Sequence, residues 1–196
     1  MTEPDAILLR RAREGDAAAF GGLVERHQTR VYAVCLRILA DPDEARDASQ
    51  EAFITAYRKL GQFRGDAAFT TWLHRIAVNA CYDELRRAKR RPRLHAAGPD
   101  DRAPEPGSPS PDPADEVAGT IDVVRALAEI PEDFRVVLVL ADVEDMAYDE
   151  IARVLEVPVG TVKSRVHRGR IALARALAGE PGRAPGASEE DDDASR

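Results

Sequence analysis

The chain has 196 residues and a formal net charge of −7, which leaves room for one large domain or two small ones. Hydrophobic residues make up 44% and aromatics only 5%, and abundant Ala and Arg favour helices over sheets. No apolar run is long enough to cross a bilayer and no charged-then-apolar leader opens the sequence, so a cytoplasmic protein without membrane insertion is expected. Cys35 and Cys81 lie far apart without CxxC spacing. The histidines (His27, His74, His95, His167) do not cluster with them, so small buried roles fit the cysteines and neither a metal nor a cofactor is indicated.

Asp5 to Glu14 reads as a short amphipathic helix with Ile7, Leu8 and Ala12 on its apolar side; Gly15 ends it and Asp16 is placed to cap the next. That second helix runs to about Ala40, with Phe20, Leu23, Val24, His27, Val31, Val34, Cys35 and Ile38 at helical spacing. Asp41-Pro42 is a stop and a restart, Asp41 as N-cap and Pro42 at the first helical position. The third helix, Asp43 to about Lys59, buries Ala45, Ala48, Ala52, Phe53, Ala56 and Tyr57. Its other face carries Asp43, Asp47, Gln50 and Glu51, for solvent or a protein partner. In the break that follows, two glycines bracket Phe63 and Arg64, an aromatic and a cation side by side as in loops that stack on unpaired bases. A Phe pinning the loop to the core is the competing reading. The fourth helix, about Phe69 to Arg90, packs through Phe69, Trp72, Leu73, Ile76, Ala77, Ala80 and Leu85, while His74, Arg75 and Asn79 project elsewhere. It ends in a dense basic tract that suits either a solvated helix end or phosphate contact.

Residues from about Arg93 to Pro113 are rich in Pro, Gly, Ala and acid and read as an extended linker. A second helical domain starts near Asp115, with Val117, Ile121, Val124 and Leu127 in one amphipathic stretch. Ile130-Pro-Glu begins another helix, with Phe134, Val137, Leu138 and Ala141 buried. Two short helices and a tight turn follow from Tyr148. Ile151, Ala152 and Leu155 form one apolar stripe, and Val162, Val166, Leu173 and Leu177 a second. Lys163, Ser164, His167 and Arg168 share the face turned away from the valines. This is either a helix-turn-helix reading the DNA major groove or a surface helix with a solvated basic face. From Gly179 the chain reads as a disordered acidic tail. The acid is concentrated outside the folded parts. Residues 94–118 hold six acids and one base and residues 179–196 six acids and two bases, which leaves 25 bases against 23 acids elsewhere. Local basic clusters, not net charge, make a footprint on DNA.

Three segments carry a family resemblance: Asp43-Glu-Ala-Arg-Asp-Ala-Ser-Gln-Glu-Ala-Phe, Phe63-Arg-Gly-Asp-Ala-Ala-Phe-Thr-Thr-Trp-Leu-His-Arg-Ile-Ala-Val-Asn-Ala, and Val157-Pro-Val-Gly-Thr-Val-Lys-Ser-Arg-Val-His-Arg-Gly-Arg. In this order, divided by a linker, they resemble the extracytoplasmic-function (ECF, group IV) sigma factors of bacterial RNA polymerase, in the sigma-70 family. The Ala and Arg usage looks like that of a GC-rich bacterium such as an actinomycete. The resemblance implies an all-α fold of two helical domains. Residues 1–92 would be region 2, residues 93–114 a flexible linker, residues 115–178 the region 4 helix-turn-helix, and residues 179–196 the tail.

The resemblance also implies roles, none of them catalytic. Asp47, Gln50 and Glu51 would dock on the clamp helices of the polymerase largest subunit. Phe63, Arg64 and Asp66, with Trp72, Arg75 and Asn79, would hold the non-template strand at the −10 element, including a flipped base. Arg86, Arg87, Lys89, Arg90 and Arg91 would hold phosphates. Lys163, Ser164, His167 and Arg168 would read the −35 element, with Arg165 and Arg170 on phosphate. An anti-sigma protein is an expected further partner. The sequence departs from the family pattern at Ala147, where a Ser-like cap is usual, at Glu156, where a turn glycine is common, and at His167, where an aromatic is common. The alternative is a stand-alone helix-turn-helix regulator binding duplex DNA as a dimer, which needs neither the Asp43–Phe53 surface nor the Phe63–Trp72 loop. No Gly-rich phosphate loop, metal cluster or nucleophile–base set points to an enzyme.

Overall fold

The computed structural model describes residues 3–65, 67–90 and 121–179, all helix and connecting turns with no strand among them. The linker 93–114, all of the tail beyond Gly179, and the site residues Asp66 and Arg91 lie outside the described residues.

The N-terminal half is built from α1 (Asp5–Arg13), α2 (Ala17–Leu39), α3 (Pro42–Lys59) and α4 (Phe69–Arg90). Its punctuation is chemical. Gly15 takes φ +98°, a conformation that releases the chain from α1. The Asp16 carboxylate then accepts from Ala19 N–H at 3.1 Å to start α2. The Asp41 carboxylate accepts from the amides of Asp43 (2.9 Å) and Glu44 (2.8 Å), with Pro42 first in α3. Leu23, Val31, Val34, Ile38, Leu73 and Val78 are fully buried between α2, α3 and α4. The alanines of α3 (Ala45, Ala48, Ala52, Ala56) are buried too, so its backbone lies close to its neighbours. Tyr57 departs from expectation: it is half exposed, because its ring lies over Phe20 at the edge of the bundle (centroids 4.9 Å).

The C-terminal half has α5 (Ile121–Ala128), α6 (Glu132–Leu138) continuing through a wide π turn (Val139–Val143), α7 (Tyr148–Leu155) and α8 (Val159–Leu177). Every residue from Arg135 to Leu140 is buried, not one face only. This follows because α6 is covered by α8 on one side and meets α2 on the other. On α8 the buried stripe is Val162, Val166 and Gly169; Leu177 is 57% exposed, because the helix runs on past the domain it covers. Gly169 is where α6 comes closest, and a Cβ there would lie 2.9 Å from Leu138 Cγ and 3.3 Å from Phe134 Cβ.

The halves pack on each other through buried charge. Arg135 donates to Ile38 O at the end of α2 (2.6 Å) and, within its own half, to Ala128 O (2.9 Å) and Ile130 O (3.1 Å). Its Nε is buried without a partner. Glu144, after the π turn, is buried and bonds Arg30 of α2. His74, expected to project away from the core, is buried 3.3 Å from Glu144, because this contact with the other half covers it.

Candidate nucleic-acid interface

The helix-turn-helix is α7, a turn, and α8. Glu156 ends α7 in the left-handed region (φ +56°), the conformation that favours glycine. The start of α7 is half capped. The Glu150 carboxylate accepts from Ala147 N–H (3.4 Å), but Ala147 has no side-chain oxygen to return the bond. Val162 and Val166 anchor α8, which turns Lys163, Ser164, His167 and Arg168 outward, all exposed. Ser164 Oγ donates to Thr161 O (2.9 Å). Lys163 and Arg168 have no partner among the described residues. Arg165 and Arg170 behave differently. Arg165 is half-buried on Asp133 (2.8 Å), and Arg170 forks onto Asp142 (3.1 and 2.6 Å), so both tie α8 to α6.

In the N-terminal half, the loop between α3 and α4 begins with a tight turn (Leu60–Gln62) and crosses Gly65 at φ +81°. Phe63 is half-buried against Trp72 (centroids 5.2 Å) and Phe69 (5.9 Å), and Phe69 in turn meets His27 (5.5 Å). Phe63 therefore does pin the loop, as its competing reading held, while leaving part of its ring open. Arg64 is exposed beside it. Asn79 does not join this loop. It lines a separate groove of about 220 Å³ between α3 and α4, together with Glu51, Lys59, Asp83 and Arg87. Arg75 reaches across to Glu156 in the helix-turn-helix turn.

On the basic tract, Arg86 bonds Asp83 (2.9 Å), Arg87 bonds Glu84, and Lys89 bonds Glu132 of α6 (2.9 Å). Arg90 is exposed without a partner among the described residues. Exposed pairs of this kind are weak and exchange readily for phosphate. On α3, Asp47, Gln50 and Glu51 form one exposed face, with Thr55 Oγ1 donating to Glu51 (3.3 Å). No set of three or more His, Cys, Asp or Glu residues among those described is grouped to hold a metal. No described helix is long and apolar enough to cross a membrane.

The family model Sigma-70 region 2 matches residues 23–91, and the model Sigma-70, region 4 matches residues 120–173. The RNA polymerase sigma-H factor of Pseudomonas aeruginosa is 40% identical over 184 residues, covering 89% of this chain and 94% of its own. The ECF sigma factor SigM of Mycobacterium tuberculosis is 41% identical over 174 residues, covering 88% and 84%. The chain belongs to the extracytoplasmic-function sigma factors. Among solved structures, CnrH in complex with the cytosolic domain of CnrY matches this sigma factor with TM-score 0.64 and 27% identity, covering 91% of this chain and 99% of that one. Directing transcription initiation at promoters is the function of this sigma factor. Three of its residues carry no signal in the sequence: Arg135, Glu144 and Gly169. Only the partners that α2 and α6 bring to them give them a role.

Proposed function

We propose that this sigma factor grips core RNA polymerase through Asp47, Gln50 and Glu51, reads duplex at the −35 element with Lys163, Ser164, His167 and Arg168, and holds the opened −10 strand at the α3–α4 loop. The observation that carries the reading is the free basic face of α8. Among the described residues its cations are left unpaired while Arg165 and Arg170 on the same helix are matched to acids. A bidentate base contact contributes about 1–3 kcal/mol of discrimination. Arg165 and Arg170 meet phosphate by exchanging Asp133 and Asp142 for it. Phe63, Arg64 and Asp66, with Trp72, Arg75 and Asn79, serve the unpaired strand, and Arg86, Arg87, Lys89, Arg90 and Arg91 its phosphates. Residues 1–92 form the polymerase and −10 unit, 93–114 the tether, and 115–178 the −35 unit.

The geometry sets one requirement. Elements centred at −10 and −35 are about 25 base pairs apart, roughly 85 Å at 3.4 Å per step. The longest helix among the described residues, α2 with 23 residues, spans only about 35 Å. Two halves in direct contact cannot reach both elements, so they part on the promoter and the tether takes up the distance. Arg75–Glu156 and Arg30–Glu144 break in that step, which frees Arg75 for the strand.

The chain works in the cytoplasm of a GC-rich bacterium of actinobacterial kind, has no catalytic activity of its own, and is held by an anti-sigma partner. The composition supports the first point, and the solved complex of CnrH with CnrY the last. Run-off transcription with core polymerase on genomic fragments tests the reading. New start sites are expected only when the chain is present, and their absence rejects it. Replacing Lys163 and Arg168 by Ala removes −35 dependence and keeps polymerase binding. Loss of polymerase binding instead would contradict the division of labour.

A further inference from the structure

We propose that Arg10 and Arg13 of α1 form, with Arg64, a second nucleotide groove that takes the sugar–phosphate backbone of the unpaired strand beside the base held at Phe63. The inference rests on the reading of the α3–α4 loop as the −10 strand site. Between α1 and that loop lies an open groove of about 480 Å³. Leu9 and the ring of Phe63 give it an apolar floor, Arg10, Arg13 and Arg64 a cationic rim, and Glu14 one acid. The volume is in the range of small-ligand sites.

The charges decide what fits. This chain is acidic overall and matches most of its described guanidiniums to its own oxygens. Arg11, on the same helix, bonds Glu3 and Asp16 at 2.7 Å each, and Arg26 bonds Asp5. Arg10 and Arg13 flank Arg11 in sequence yet have no partner among the described residues, and neither has Arg64. Arg10 and Arg13 are three residues apart and so share the face of α1 that lines the groove. Like charges gathered round one hollow repel unless an anion enters it. Guanidinium forks match phosphate oxygens, and an aromatic floor stacks a base of any identity. Phosphates repeated along a strand beside a partly open aromatic ring therefore suit this groove better than an isolated small anion.

The test measures binding of a labelled single-stranded −10 oligonucleotide, extended by several nucleotides on each side, to the chain assembled with core polymerase, across salt concentrations. Each released phosphate contact lowers the salt slope by about 0.7. The double variant Arg10→Ala with Arg13→Ala is expected to weaken binding about tenfold or more and to flatten the slope by about 1–1.5, while its affinity for core polymerase is unchanged. Phe63→Ala is expected to weaken binding with the slope kept. If the double variant binds with wild-type affinity and slope while Phe63→Ala still weakens binding, the groove proposal is overturned and the loop reading survives. If neither changes binding, both fall. If inorganic phosphate at millimolar concentration abolishes the difference between wild type and the double variant without displacing the strand, the groove is a small-anion site and the proposal is overturned.

Discussion

Helix α8 and the α3–α4 loop stand at opposite ends of a range of rigidity. The face of α8 is fixed before DNA arrives, by buried Val162 and Val166 and by ion pairs from Arg165 and Arg170 to α6. The loop turns on Gly65 and is held by buried Leu60 at its start and, beyond that, by one half-buried ring. Duplex DNA offers a regular groove, which a preformed helix fits at little ordering cost. A single strand has no such groove, so its site has to supply stacking surface and cations around an irregular path. The two halves therefore fail differently. Damage under α8 misplaces a whole reading face, whereas damage in the loop removes individual contacts.

The largest effect joins the two regions. Arg135→Ala removes three donated bonds, one of them to the end of α2, and leaves buried carbonyls unsatisfied. A loss of about 3 kcal/mol or more is expected in urea unfolding, with both halves weakened together. A loss confined to the C-terminal half would show that the contact between halves contributes nothing.

A second effect, of about 3 kcal/mol, depends on pH. Burial, then the charge of Arg30 and the neighbouring His27, push the His74 imidazole down to about 4 from 6.5. The Glu144 carboxylate 3.3 Å away would favour the cation, but it is already engaged by Arg30, and burial dominates. The folded chain therefore holds His74 neutral. Between pH 6.5 and about 4 the unfolded chain binds the extra proton, so stability is fully present above 6.5 and falls as pH drops through that window. A shift of this size corresponds to about 3 kcal/mol at the acid end. His74→Gln should lose that part of the slope, which chemical denaturation of both proteins across pH 4–7 would measure.

Much of this was legible beforehand. Caps at Asp16 and Asp41, the stop at Gly15 and the Val162–Val166 part of the α8 seam follow from local chemistry and periodicity, and the structure holds each of them, whereas Leu177 at the end of that seam is exposed. The helical character of both parts follows from the same kind of signal, and the family from the resemblance of residues 43–53, 63–80 and 157–170. What stayed hidden depends on the packing of one half against the other. His74 sits at a position of α4 that looks solvent-facing until Glu144 arrives from 70 residues away. Arg75, read as a contact for the −10 strand, is likewise tied across the halves, to Glu156.

Smaller effects sharpen the contrast within the C-terminal half. Gly169→Ala puts a methyl 2.9 Å from Leu138, so α6 and α8 must separate. A loss of about 2 kcal/mol is expected, seen as weaker −35 dependence with −10 strand binding retained. Smallest and opposite in sign, Ala147→Ser supplies the missing half of the α7 cap, with a gain of about 0.5–1 kcal/mol in thermal unfolding of the full chain.

Permanganate reactivity of thymines in a promoter bound by core polymerase and this chain tests most directly that one half reads duplex while the other holds an opened strand. Reactive thymines are expected at the −10 element, and they are expected to disappear with Phe63→Ala and Arg64→Ala even when the −35 element stays protected. Reactivity unchanged by those two substitutions, or a −10 element that never opens, would contradict it.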